Sequence, residues 1–514
     1  MEFGVPATFG VIDLFAGPGG LGEGFASMSE QGHRPFDIRI SVEKEASAHR
    51  TLILRAFLRE HQSRSGRLPQ AFVDFHAGRI PEPDWSTIDP ISWLRARDEA
   101  RALELGTPAA AAAIDDKIAA LRKNFDEAIL IGGPPCQAYS LVGRARAKGK
   151  IDYVPENDPR HYLFREYIRV LDRLRPAAFV MENVKGMLSS TVESRLVFEM
   201  LMEDLSSLGS GQGHFYELRA IRIADGEASL REVVRPVDFV VRAEDLGVPQ
   251  RRHRVIIVGI RSDMASSIGK ASLKISERVR SVGDVIGNLP QLRSGLSRTL
   301  DNDQTWREAV VASARQMAED HHKRADPVLG NMFSDLAETL TAMRVPPRAS
   351  STLPRAYGNA KDSLLQWLEN GQLEAVAQHA TREHMPSDLG RYMFSATFGR
   401  LHGYSPKASK FPAEISPDHR NWHTGVFNDR FRVQVAHEPS TTVTSHISKD
   451  GHYFIHPDAS QSRSLTVREA ARLQTFPDDY FFLGNRTAQY VQVGNAVPPY
   501  LARQIAQLLY KVLS

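Results

Sequence analysis

The sequence predicts an α/β protein: a mostly parallel sheet alternating with helices, followed by a second, smaller and irregular domain. Two observations carry this. Short apolar runs at Phe9 to Phe15, Phe36 to Val42, Ala128 to Ile131 and Ala177 to Val180 have the length and composition of strands covered on both faces, and segments of helical spacing separate them. Beyond about Arg261 the alternation stops, and Pro, Ser, His and Arg are scattered through short, weakly patterned stretches.

The first run feeds AGPGGLGEGF, where Gly17, Gly19 and Gly22 have a GxGxxG spacing ahead of a helix-like segment. Glycines there permit a tight turn and a close backbone approach, and the amino end of a helix offers free N–H groups to a ligand. Such a loop fits a dinucleotide oxidoreductase as well as an enzyme binding an adenosine-containing cofactor. The second run ends at Glu43, a position from which a carboxylate commonly accepts hydrogen bonds from ribose hydroxyls. Glu45 to Glu60 reads as a helix and Ala71 to Phe75 as a short strand. The charged stretch from Pro81 to Phe125, with its alanine run, reads as a helical insertion of no legible function.

The run Ala128 to Ile131 opens into GGPPCQAYS, residues 132 to 140, which holds the only cysteine of the 514 residues. Two prolines stiffen the approach to Cys136 and remove two backbone donors. A lone cysteine is more often a small buried hydrophobe than a nucleophile, so its neighbours must decide. A helix is expected at Tyr162 to Leu174, and the strand from Ala177 ends in Met181, Glu182, Asn183 and Val184. Further strand-like runs lie at Asp238 to Val241 and Arg254 to Ile260, the latter preceded by GVPQRRHR. In the irregular region, STTVTSHISKDGHYFIHPD reads as a hairpin turning at Lys449-Asp450-Gly451. Regular patterning returns at 463 to 482 and in an amphipathic terminal helix.

Composition narrows the function classes. The chain is long enough for two to three domains, and a net charge of +3 is too small by itself to imply a polyanionic partner. Local basic groups at Arg144, Arg146, Lys148 and Lys150, and at Arg251, Arg252 and Arg254, matter more. A single cysteine forms no intramolecular disulfide, and no run of eighteen apolar residues occurs. The expectation is a cytoplasmic protein without a membrane span, secretory signal or metal.

Cys136, Glu182 and the arginine group together suit one reaction class. C5 of cytosine is a poor nucleophile, and adding a thiolate at C6 turns the ring into an enamine that can be alkylated. A carboxyl group at N3 assists the addition, and a carboxyl beside an apolar wall tends towards the protonated form that can donate. Arginines at the C2 oxygen stabilise charge and hold the ring.

In this order, DLFAGPGG (13 to 20), GGPPCQAYS (132 to 140), ENV (182 to 184), QRRHR (250 to 254), REAARLQTFPD (468 to 478) and QVGNAVPP (492 to 499) resemble the DNA (cytosine-5)-methyltransferase family of prokaryotic modification enzymes. The resemblance implies a Rossmann-like S-adenosylmethionine-dependent methyltransferase sheet with a target recognition domain. It divides the chain into a catalytic domain over 1–261, completed by 483–514, and a recognition domain over 262–482. Phe15, Ala16, Gly17, Gly19, Gly20, Glu43, Pro134 and Asn495 are implied to surround S-adenosylmethionine. Cys136, Glu182, Arg252 and Arg254 would carry the chemistry, with Pro135 and Val184 on the base. The implied substrate is a cytosine flipped out of double-stranded DNA, with the basic loop from Ala138 to about Pro155 closing on it. A restriction endonuclease or other defence component and a nucleoid setting are the implied partners and place.

Two departures stand out. Ala77-Gly78-Arg79-Ile80 has arginine where the family has an acid after the third strand, and Lys44 follows Glu43 where an aromatic residue is usual. The alternatives are a transfer-RNA cytosine methyltransferase, which shares the catalytic strings, and a DNA-binding relative that has lost catalysis. A nicotinamide-dependent oxidoreductase explains the glycine loop alone.

Overall fold

The strand runs are mostly apolar because the sheet they build is covered on both faces. In the computed structural model, which describes residues 7–135, 163–192, 195–206, 208, 215–276, 278–417, 422 and 428–514, the sheet begins with β1 (Phe9–Leu14) and β2 (Phe36–Val42). Between them lies α1 (Gly20–Ser27), and after β2 come α2 (Ala46–Ser65), α3 (Gln70–His76), α4 (Trp85–Ile88) and α5 (Pro90–Glu99). The chain continues through β3 (Ala100–Arg101), α6 (Pro108–Asn124), β4 (Glu127–Gly132), α7 (Leu163–Leu174), β5 (Ala178–Val184) and α8 (Val197–Ser206). The sheet is completed by β6 (Tyr216–Ala224), β7 (Glu227–Arg231), β8 (Val240–Arg242), β9 (His253–Arg261) and β10 (Ser272–Lys274).

The strand order is β10-β7-β6-β9-β5-β4-β1-β2-β3, with β8 also paired to β9. Strands β5, β4, β1, β2 and β3 run parallel, and β9 returns antiparallel to β5. The order reverses direction between β1 and β4, the place where open α/β sheets form a crevice at their carboxyl edge. The glycine loop leaves β1 and the cysteine loop leaves β4, so both open at that switch point.

Alternate residues of each strand face opposite layers. Ile129 and Ile131 pack with Phe25 of α1 and with Leu501, Ile505 and Leu509 of a carboxyl-terminal helix. Leu130 packs with Ile114 and Ile118 of α6 and with Val170 and Leu171 of α7. The terminal helix therefore docks its apolar face on the first layer of the sheet. Its approach to α1 requires a glycine there, because a Cβ at Gly24 would stand 2.4 Å from that of Ala502.

Four sequence expectations need correcting. Residues 71–75 are helical, since Pro69 starts a turn in which Phe72, Val73 and His76 share one buried face. Second, the stretch 81–125 is more than an insertion: it carries β3, paired in register with Ser41 and Val42, and α6 is the crossover that returns the chain to β4. Ala77-Gly78-Arg79-Ile80 is thus not a strand end, and Arg79 instead pairs with Asp74 and Glu374, each at 2.7 Å. Third, no hairpin forms at 440–458: Ser440–Thr441 pairs in parallel with Gln250–Arg251, Ser445–Ser448 is a short 3-10 turn, and Ile455 bridges Val433 and Ser464. Fourth, the run read at 238–241 splits, with a 3-10 turn over Pro236–Phe239 before β8.

The region beyond 274 is irregular over long stretches, as expected, but is held together by helices. It contains α9 (Val282–Ile286), α10 (Asp303–Lys323), α11 (Pro327–Ala342), α12 (Ser363–Leu368) and α13 (Pro386–His402), followed by α14 (Val467–Leu473), α15 (Arg486–Asn495) and α16 (Pro499–Leu513), the terminal helix. Trp306, Val310, Ala314 and Met317 of α10 meet Phe333 of α11 and Tyr392 and Phe394 of α13 in one core. A neighbouring core joins α9, α12, α14 and α15 through Val285, Leu368, Leu473 and Val493. The added helices α3 to α5 pack against α2 through Phe57, Phe72 and Trp85, and reach Leu373 and Leu483 from the far half of the chain. Among the described residues no helix is long and apolar enough to cross a membrane.

Several histidines are buried in these joints. Burial and the charge of Arg468 push His76 down to about 4, and burial and Arg463 push His456 down to about 3. His379, His384 and His452 are lowered as well, foremost by burial. Unfolded histidine takes up a proton below about 6.5, whereas these rings stay neutral when folded. Their stabilisation is complete above about pH 6.5 and is lost as the pH falls towards 4. Urea unfolding at pH 7.5, 6, 5 and 4 should show a falling midpoint across that window, and a flat profile would contradict the assignment.

Candidate functional site

Phe15, Gly17 and Gly19 all take positive φ, at 58°, 57° and 100°. The left-handed backbone is costly for Phe15 and free for the glycines. The loop is fixed by Ala16 N donating to Val42 O (3.0 Å) and Gly19 N donating to Ala16 O (2.9 Å). A Cβ at Gly20 would lie 2.0 Å from Val497 O, so only glycine lets the carboxyl-terminal segment close behind the loop. A Cβ at Gly17 would meet nothing within 4 Å, so the space in front of it is open. No side chain caps the amino end of α1.

Glu43 sits at the end of β2 beside this loop. Its carboxylate accepts from Gly17 N at 2.9 Å and Glu45 N at 2.7 Å. Two amides thereby aim the group while leaving lone pairs for a further donor. Lys44 pairs instead with Glu104 at 3.0 Å, just beyond β3. Asn495 is an exposed residue at the end of α15, two positions before Val497.

The second half of the site lies on adjacent strands. β4 and β5 pair Gly132 with Met181, which sets Glu182 over the start of the cysteine loop. A Cβ at Gly133 would be 3.2 Å from Glu182 Oε2. Asn183 Nδ2 donates to Pro134 O at 3.0 Å, and Asn183 Oδ1 accepts from Val184 N at 2.8 Å, fixing the approach to Pro135. Cys136 and the basic segment 144–150 lie outside the described residues.

The two arginines assigned together are separated. Arg254, paired in register with Val184, brings its Nε to 3.0 Å from Glu182 Oε1, both side chains being 13% exposed. Burial pushes the Arg254 guanidinium down and Glu182 pulls it back up. Glu182 therefore has an arginine beside it, not only an apolar wall. Arg252 does not touch Glu182. It is 2% exposed and donates to the carbonyls of Val443 (2.9 Å) and Ala496 (2.8 Å), with longer contacts to Gly494. The cause is local: Arg252 N bonds Gln250 O at 2.8 Å, a tight turn that rotates Arg252 away before β9 begins. Gln250 belongs to the same clamp, accepting from Val443 N at 2.7 Å and donating to Leu473 O at 3.1 Å. Asn183 and Gln250 were missed as individual residues although ENV and QRRHR contain them.

His384, Asp388 and His452 come within 4.8 Å of one another in the α13 region. Their groups already have partners without an ion: Tyr392 Oη lies 2.9 Å from His384 Nδ1 and 2.7 Å from His452 Nδ1, and Asp388 holds Arg391 at 2.7 Å.

Comparison with known proteins gives a consistent result. The model of the family described as C-5 cytosine-specific DNA methylase matches residues 111–511. The chain is 32% identical to the Type II methyltransferase M.Bpa9945I of Bacillus paralicheniformis, over 98% of this chain and 99% of that one. It is 26% identical to the Type II methyltransferase M.AgeI of Thalassovita gelatinovora over the same shares, and 27% identical to the DNA (cytosine-5-)-methyltransferase M.ApeKI of Aeropyrum pernix over 76% and 82%. Among solved structures, a DNA modification methyltransferase encoded within an E. coli prophage shares the fold, with a TM-score of 0.52 at 18% identity over 98% and 99% of the two chains.

Proposed function

The chain belongs to the C-5 cytosine-specific DNA methylase family, and from that premise we propose that it methylates C5 of a cytosine within a specific sequence of double-stranded DNA, with S-adenosylmethionine as donor. The observation that carries the reading is the Glu182–Arg254 pair set against Gly133, three residues before the sole cysteine at the switch point of the sheet.

In this reading the Cys136 thiolate forms a bond to C6, and the displaced electron pair makes C5 nucleophilic. Glu182 faces N3 and passes a proton to it as the thiolate adds, which takes up the negative charge that would otherwise build on the ring, while Arg254 orients Glu182 and approaches the C2 oxygen. Pro135 and Val184 flank the ring. Once C5 has gained its methyl group, it loses its proton and the C6–S bond breaks, which regenerates the thiolate. Arg252 serves the site indirectly by holding the 443 and 494–496 segments to the strand that carries Arg254.

The open space before Gly17, the uncapped α1 terminus and the aimed Glu43 carboxylate fit an adenosine-type ligand. When bound, S-adenosylmethionine supplies the methyl group. Phe15, Ala16, Gly17, Gly19 and Gly20 would lie along it, Glu43 would hold its ribose, and Pro134 and Asn495 would border it. We assign the catalytic unit to 1–261 with 483–514 and target recognition to 262–482, the basic loop 138–155 closing on phosphates. The enzyme would act on nucleoid DNA in the cytoplasm, beside a restriction endonuclease or another defence component.

Expression in a host lacking cytosine methylation, followed by mapping of modified bases, tests the reading. Methylation of one short sequence motif throughout the genome is expected. An unmodified genome despite stable protein would overturn it, and methylated cytosine in transfer RNA alone would assign the RNA branch.

A further inference from the structure

Against the glycine loop, at Pro18 and Gly19, lies a phenol that no motif assignment uses. Tyr480, 1% exposed, donates its hydroxyl to the carbonyl of Pro18. The approach is close enough that a Cβ at Gly19 would stand 2.8 Å from Tyr480 Oη. The Tyr480 ring lies under the Arg55 guanidinium, 5.1 Å from its centroid. Arg55 in turn holds Glu23 of α1 with two hydrogen bonds of 2.6 and 2.8 Å, and Asp479 at 3.0 Å. The residues Asp479 and Tyr480 thus grip both the loop and the helix that follows it. Burial raises the Tyr480 phenol above its ordinary range, so it stays protonated and able to donate.

The loop needs such a grip. Three of its residues hold positive φ, one of them Phe15, and a strained backbone persists only where its surroundings over-determine it. Pro18 has no N–H, and its carbonyl is the group Tyr480 holds. We propose that Tyr480 is a positioning residue for the methyl-donor site, holding the Pro18 carbonyl so that the Phe15–Gly20 loop keeps the backbone shape that leaves the space before Gly17 open. The inference rests on the reading of this loop as the S-adenosylmethionine site.

The molecule contains its own matched control. Tyr490 is also 1% exposed, donates its hydroxyl to a backbone carbonyl (Leu465 O, 2.7 Å) and lies under an arginine, Arg382, at 4.3 Å. It touches no residue of the glycine loop in any of these contacts. Tyr480→Phe and Tyr490→Phe therefore delete the same kind of bond at two places, one at the loop and one away from it.

S-adenosylhomocysteine binding to the full-length wild type and both variants is to be measured by calorimetry without DNA, alongside ligand-free melting. Tyr480→Phe should weaken the ligand roughly three- to tenfold, the range expected from one lost hydrogen bond, and Tyr490→Phe should bind as the wild type does. The two variants should melt at similar, slightly lowered temperatures. Unchanged affinity in Tyr480→Phe, or equal weakening in both variants, would overturn the positioning role. A wild type that binds no S-adenosylhomocysteine would overturn the cofactor reading itself, and this inference with it.

Discussion

With Cys136 replaced by serine, DNA carrying 5-fluorocytosine at the target will form no covalent adduct, whereas with Glu182 replaced by glutamine the adduct will form roughly 10²- to 10⁴-fold more slowly. The two variants separate bond making from assistance. A serine hydroxyl near neutral pH is almost wholly protonated and adds poorly to a pyrimidine ring, while a cysteine thiol, with an ordinary pKa of about 8.5, supplies a usable thiolate fraction. Glutamine keeps the size of Glu182 and its place over Gly133 but cannot carry the charge that pairs with Arg254 at 3.0 Å. The fluorine matters because C5 must lose a proton before the C6–S bond breaks, and fluorine cannot leave as a cation. Gel separation of DNA–protein adducts under denaturing conditions reads both rates. An adduct that persists in Cys136→Ser would assign the nucleophile elsewhere, and a wild-type rate in Glu182→Gln would remove Glu182 from the mechanism.

Glu469→Gln is expected to destabilise the protein by about 3–5 kcal/mol, the usual cost of stranding one partner of a buried ion pair. Arg463 and Glu469 are each 1% exposed and meet through two hydrogen bonds, of 2.7 and 2.6 Å. The Glu469 carboxylate also accepts from Thr466 N at 2.7 Å, closing the capping box that starts α14. Burial favours the neutral acid, but the charge and hydrogen bonds of Arg463 outweigh it and hold the group well below the ordinary carboxylate range. A glutamine leaves the guanidinium charged and buried with only neutral oxygens to face, those of Gln461, Leu292 and Ser464 among them. The contrasting substitution is Glu319→Gln, whose pair with Lys323 is 60–64% exposed and whose loss should leave the unfolding midpoint unmoved. Urea unfolding of the three proteins checks both halves, and a Glu469→Gln midpoint equal to the wild type would show that the pair contributes no net stability.

The parts of the fold that were legible are those where one physical cause dominates. β1, β2, β4 and β5 are largely buried, so most of their residues are apolar, and the strands could be read despite Asp13 in β1 and Asp37, Arg39 and Ser41 in β2. β3 escaped because only two residues, Ala100 and Arg101, pair with β2, too few for any periodicity to show. Missing it displaced the comparison at the third strand end onto Arg79, which lies after α3. The long helices α10 and α11 did carry signals, an asparagine cap at Asn302 and Asp326 followed by proline, but their apolar stripe is diluted by alanine, methionine and histidine. The site shows the same split. Glu182 and Arg254 could be named from ENV and QRRHR, yet the string gives no sign that a turn at 250–252 sends Arg252 into a cluster of carbonyls. Tyr480 was invisible as a contact because its partner Pro18 lies 462 positions away.

That separation bears on how the enzyme comes into being. The Pro18 carbonyl meets Tyr480, 462 positions further on, and the apolar face of β1 and α1 meets the still later α16, so both contacts wait for a long stretch of synthesis. At a synthesis rate of about 5–20 residues per second, the interval is on the order of half a minute or more. Throughout it, Phe9, Val11 and Phe25 lack the terminal helix that covers their side of the sheet. A ribosome stalled short of residue 480 would present an incomplete loop and an uncovered sheet face, which is a target for chaperones and proteases. Nascent fragments should therefore be unable to consume methyl donor, and methylation would begin only once residue 480 and the helix over 499–513 have been made.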